Sequence, residues 1–223
     1  MATNVTRSEP TSRLHDGGRL RLRDRPTPKH IATMNGPRIT AAWFALVAGL
    51  TGAIFATPDP GEIEFRTTLR VTALTSAIPF LLAFTAAALQ RLSPSPLSRW
   101  ALKNRRYLGL SMAGSHLIHL IAIIGLVETA MSGNPIGSVT KIFGTAGFVL
   151  LALMAATSND FAVQALGAAW RWLHLLGVWV LWIDFTFTYI GTALRTPLHG
   201  AMTAILLGAA GLRGWATWQR RRA

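Results

Sequence analysis

Three histidines set the chemistry open to this sequence. His116 and His119 lie in the apolar run Tyr107 to Val127, and His174 lies in Trp170-Arg171-Trp172-Leu173-His174-Leu175. An imidazole inside a membrane-length helix is costly to place and is therefore a functional candidate, and histidine is the commonest protein ligand for haem iron and for several metals. His116 and His119 are three apart, which sets them about 60° from each other on one helix face. At ~1.5 Å per residue they fall roughly 15 and 20 Å along the axis from Arg106, near the middle of a bilayer. Asp184, in Trp182-Ile183-Asp184-Phe185, is the one acid placed well inside an apolar run, where its ionised form is expensive; it is a candidate proton or quinone site. The sequence contains no Cys, which excludes disulfides, iron–sulfur clusters and thiolate metal sites. Any iron or metal must take His, carboxylate or oxygen ligands.

The elements that position these residues are apolar helices. Of the 223 residues 51% are hydrophobic and only 14% charged, and the mean hydropathy is +0.36. That balance excludes an ordinary soluble domain and points to an all-α, polytopic membrane protein. Six spans are expected: Ile39 to Thr57, Val71 to Gln90, Tyr107 to Val127, Val139 to Ala156, a fifth between Phe161 and Ile190, and Leu198 to Trp218. Pro58-Asp59-Pro60-Gly61 ends the first, and the Ser-Gly-Asn-Pro run at 132–135 closes the third. Pro79 in mid-span predicts a kink near Ser76. Thr157-Ser158-Asn159-Asp160 reads as a turn or cap.

Lys and Arg number 22 against 9 Asp and Glu, a formal charge of +13. In a soluble chain that would suggest nucleic acid, but here the cations cluster between apolar blocks, as on a cytoplasmic membrane surface, so no nucleic-acid partner is expected. Arg91, Arg99, Lys103, Arg105 and Arg106 make the clearest inside loop, whereas Pro58 to Glu64 carries three acids and no base. Both termini are therefore expected in the cytoplasm, which needs an even number of spans and fits a six-helix bundle at 39–218. Residues 1–38 read as a disordered basic cytoplasmic tail and residues 219–223 as a basic cytoplasmic end. His15, His30 and His199 read as solvated.

The third and fifth spans enter from the same side, so their histidines can meet between parallel helices and ligate one haem iron from both faces. The competing reading has these imidazoles hydrogen-bonded to carbonyls or hydroxyls of neighbouring helices. Arg171, just before His174, suggests a shallow position that would suit His116 better than the deeper His119, but arginines snorkel, so His116 stands as the alternative ligand.

Arg105-Arg106-x-Leu108-Gly109-Leu110 with His119 following, and Leu166-Gly167-x-x-Trp170-x-x-Leu173-His174 preceded by Thr157-Ser158, resemble the third and fifth spans of the ferric reductase-like transmembrane domain family. The resemblance extends over about Ile39 to Trp218. It implies b-type haem held by histidines of those two spans and electrons carried across the membrane. His119 matches the third-span ligand and His174 the first fifth-span ligand. The family's second fifth-span histidine falls at Phe187, which cannot ligate iron, so the resemblance implies one haem b and not a stacked pair. Arg105, Arg106 and Arg171 could reach haem propionates, although inside-facing cations need no ligand to explain them.

The expected function is an integral inner (plasma) membrane, b-type cytochrome-like electron-transfer protein with haem between the third and fifth spans. No Gly-rich dinucleotide fingerprint is present, so no flavin or NAD(P)H is expected on this chain; electrons would come from a quinone or a separate reductase and pass to a partner protein or ferric iron. The alternative, favoured by Phe187, is a non-catalytic six-helix scaffold or interaction subunit. A small transporter ranks last, because no internal repeat is evident.

Overall fold

Apolar runs punctuated by Pro, Gly and capping residues fold as one helix after another. The computed structural model describes residues 34–130, 138–191 and 193–222, which fall in one unit, Met34–Ala223. Its helices are α1 (Pro37–Ile54), α2 (Glu62–Leu92), α3 (Pro96–Lys103), α4 (Arg105–Thr129), α5 (Ser138–Ala156), α6 (Asp160–Leu166), α7 (Ala168–Ile190) and α8 (Pro197–Arg222). Most of the expected tail, with His15 and His30, and the 132–135 run lie outside the described residues.

Local chemistry sets the helix boundaries. Pro37 occupies the first turn of α1 behind Gly36, whose φ of 68° is a left-handed conformation that suits glycine. The Glu64 carboxylate accepts the Gly61 N–H at 2.8 Å and, with Glu62, places acid at the positive end of α2. Helix α2 runs as one element through the buried Pro79.

Several boundaries differ from the sequence-based expectation, beginning with α2, which starts at Glu62 and not at Val71. The cationic 91–106 segment is not simply a loop: Ser95 and Ser98 cap each other, Pro96 opens the first turn, and α3 forms. The fifth long helix starts at Ala168, not Phe161, because Gly167 at φ 49° ends α6. The α6 turn is itself capped by the Asn159 side chain, which accepts the Ala162 N–H at 2.8 Å.

Four helices, α1, α2, α4 and α7, are long and apolar enough to cross a membrane, and Gly144–Ala156 with α6 forms a pair bent by 104° that would make a fifth. Helix α8 is 26 residues long but falls outside that set; it carries Arg213 and a basic end. The Arg213 guanidinium turns inward: it donates to the Phe84 carbonyl at 3.1 Å and lies over the Phe84 and Trp179 rings at 4.3 and 5.3 Å.

The most extensive helix pair is α2 with α4. Thr68, Thr72 and Ser76 on α2, spaced four apart, are fully buried, and Ser111 and Ser115 on α4 are nearly so. Small side chains let two backbones approach closely; the hydroxyls of Thr72, Ser76, Ser111 and Ser115 donate within their own helices, whereas the buried Thr68 hydroxyl has no partner among the described residues. Thr72 and Ser76 each donate to the carbonyl four residues back at 2.6 Å, and Ser111 does so at 2.8 Å. Beside this seam an aromatic core joins α2, α4, α7 and α8 through Phe80, Phe84, Met112, Leu181, Phe185 and Leu206, with Phe80 stacked on Phe185 at 5.1 Å.

Candidate functional site

The α2–α4 seam delivers the first histidine. His119 Nδ1 lies 2.7 Å from Thr72 Oγ1, whose own distance to the Thr68 carbonyl is 2.6 Å. A threonine hydroxyl has one proton. In the tautomer that donates Nδ1–H to Thr72 the lone pair of His119 lies on Nε2, as in a ligating histidine oriented by a second-shell acceptor; a bond to a hydroxyl of a neighbouring helix is equally what the competing, non-ligating reading expects.

His116, one turn earlier, faces α5 and α7. Its ring centroid is 5.6 Å from those of Phe148 and Phe185 and 5.7 Å from that of His119. Its Nδ1 is buried and has no hydrogen-bond partner among the described residues; the Met112 carbonyl approaches the ring without completing a bond. A buried polar atom without a partner is rare and marks either strain or a missing group.

His174 is oriented in the same way from the other side. Its Nε2 is 3.2 Å from Thr157 Oγ1, and that hydroxyl donates to the Leu153 carbonyl at 2.7 Å. In the tautomer that donates Nε2–H to Thr157 the ring keeps its lone pair on Nδ1. Trp170 stacks on the ring at 4.1 Å and donates its indole N–H to the Thr157 carbonyl at 2.9 Å. Thr157 and Trp170 thus hold the imidazole from two sides.

The structure brings His116 and His119 together but does not bring His174 to them. Phe185 touches His116, and residues 174 and 185 are eleven apart on the continuous helix α7, an axial offset of ~16 Å or three turns. Phe187, at the depth of the paired histidines, points outward and is 68% exposed. Asp184 is half-buried against α5, where a side chain at Gly147 would meet its carboxylate at 3.6 Å. Arg106 forms an exposed ion pair with Asp160, and Arg171 is exposed. Thr72 and Arg213 are not singled out by the sequence, and Thr157 is marked there only as part of the Thr157-Ser158 motif, not as a partner of His174. Arg213 had a signal, a lone cation interrupting the last apolar run, whereas Thr72 is told from the other threonines only by the tertiary contact.

The family model described as "Ferric reductase like transmembrane component" matches residues 71–183, which spans both histidine-bearing helices. The chain belongs to this family. Among its relatives, the protein-methionine-sulfoxide reductase heme-binding subunit MsrQ of Bordetella pertussis strain Tohama I is 30% identical over 194 residues, covering 82% of this chain and 85% of the relative. The subunit of the same name from Bordetella parapertussis matches equally, and that of Ralstonia nicotianae is 30% identical over 157 residues, 59% of this chain and 66% of the relative. No solved structure matches the chain significantly. Family membership and the apolar helices together make this ferric reductase-like protein a multi-pass membrane protein.

Proposed function

We propose that this chain is a b-type haem-carrying electron-transfer protein of the inner membrane, with six spans and both termini cytoplasmic, serving as the membrane subunit of a reductase whose substrate-binding part is a separate protein. The relatives' name, a heme-binding subunit of a protein-methionine-sulfoxide reductase, supports the haem and the partnership. The observation that carries the reading is the Thr72–His119 hydrogen bond, which orients the His119 ring inside the membrane-length helix α4.

The residues fit haem through a single imidazole. Bound haem supplies reversible one-electron chemistry at iron, tuned by axial ligand, burial and nearby charge. His119 would hold the iron through Nε2, with Thr72 keeping the ring oriented and its basicity raised. His116 is the alternative, and its partnerless Nδ1 supports that choice. His174 stands as the ligand candidate of α7, but the three-turn offset argues against its sharing an iron with His119. Phe148, Phe185 and Phe80 exclude water from the histidine pair. Asp184 lies one residue from Phe185 and is proposed to relay a proton or to hold a quinone at its carboxylate. Electrons enter from a quinone or a separate reductase.

Oxidised and dithionite-reduced spectra of the purified protein, expressed with ample haem, test the reading. A Soret band with a reduced b-type α-band is expected. Their absence would leave the scaffold alternative, which the outward-facing Phe187 favours.

A further inference from the structure

At the end of the bundle where α2 finishes, α4 begins and α8 ends, a half-open cavity of about 500 Å³ is lined by Arg91, Arg105, Arg213, Arg220 and Arg221, with Phe84 and alanines as its floor. Five guanidinium groups converge there and no Asp or Glu lines the cavity. The two ion pairs among the described residues use other arginines, Arg66 and Arg106. Arg91 and Arg213 instead donate to the neutral carbonyls of Ala216 and Phe84 at 3.4 and 3.1 Å. Each guanidinium has five donors in a fixed fork, and none of the five has an ionic partner among the described residues.

Five like charges repel, and three helices would be expected to splay unless a counter-charge joins them. The helix ends place the cavity at the membrane surface, where anionic headgroups are the concentrated counter-charge, and the apolar floor leads from the arginines toward the α2–α8 contact. We propose that this cavity binds the phosphate of an anionic phospholipid, whose headgroup bridges α2, α4 and α8. Arginine is the side chain suited to it, because its planar fork meets phosphate oxygens in pairs.

The experiment uses the full chain in detergent with native mass spectrometry and thermal melting, adding cardiolipin, phosphatidylglycerol, phosphatidylcholine or soluble pyrophosphate. Retention of cardiolipin and phosphatidylglycerol with a raised melting temperature, and neither with phosphatidylcholine, is expected. Arg220→Gln with Arg221→Gln, both on the exposed end of α8, should weaken retention roughly 30-fold, about 5-fold for each surface cation. Arg99→Gln, outside the cavity, should leave it unchanged. Arg213→Gln, which also loses its Phe84 contact, serves as a second reading. Displacement of the lipid by pyrophosphate would support the phosphate site and give it a soluble source as well. Equal retention of phosphatidylcholine, or unchanged anionic lipid retention in the Arg220/Arg221 variant, would overturn the proposal.

Discussion

Thr72 Oγ1 lies 2.7 Å from His119 Nδ1 and donates to the Thr68 carbonyl at 2.6 Å, which sets it to accept the Nδ1 proton of the ring. Thr72→Val keeps the volume and removes the acceptor. The ring then loses both its tautomer preference and part of its basicity, so haem affinity should fall ~10–100-fold. A less basic ligand stabilises ferric iron less, so the midpoint potential of the remaining haem should rise; a tenfold loss of ferric preference is about 59 mV for one electron. Thr72→Ser should restore both. Redox titration checks the sign, and an unchanged potential with full occupancy would detach Thr72 from the site.

The axial offset of His174 from the histidine pair carries a second prediction. An iron with one imidazole from the protein keeps a sixth position open to an added ligand, whereas a bis-histidine iron does not. The reduced protein should therefore bind carbon monoxide, and His174→Ala should retain its Soret band. A low-spin haem that ignores carbon monoxide and vanishes in His174→Ala would mean that α4 and α7 meet at one depth.

Asp184 gives a third. Replacing it by Asn removes the ionisable proton while keeping shape, so haem content should be unchanged and electron delivery from quinol should slow by ~10-fold or more if it acts in proton transfer. Stopped-flow reduction of the haem reads this directly. Full retention of both haem and rate would remove Asp184 from the mechanism.

Topology is separately testable. With six spans and a cytoplasmic end, a reporter fused after Ala223 should be active only when it is a cytoplasmic reporter. Activity of a periplasm-dependent reporter at that position would make the number of crossings odd.

The all-helical class, the apolar spans and the two histidine motifs were legible because hydropathy and spacing are local properties. Tyr107 to Val127 and Val139 to Ala156 lie within α4 and α5 for that reason. The break at Gly167 was harder to read, since a glycine at the edge of an apolar run is ambiguous until its φ of 49° is known. Helix α3 was hidden by the cations within it, Arg99 and Lys103, and around it, Arg91, Arg105 and Arg106, which signal sidedness and mask the Ser95–Ser98 cap. The shallow position of His174 against the deeper His119 was signalled by Arg171, but the signal was weak because arginines snorkel, and the fifth long helix begins seven residues later than hydropathy suggests. The partners Thr72 and Thr157 and the inward turn of Arg213 are tertiary facts: a threonine or arginine in an apolar run becomes informative only when its neighbour is known.

The most direct test of the central claim compares haem content in purified wild-type, His119→Ala and His116→Ala proteins by the Soret band per chain. Loss of the band in His119→Ala and its retention in His116→Ala is the predicted result. Retention in His119→Ala would contradict the account; if the band were lost in His116→Ala instead, the ligand would be the ring with the buried, partnerless Nδ1.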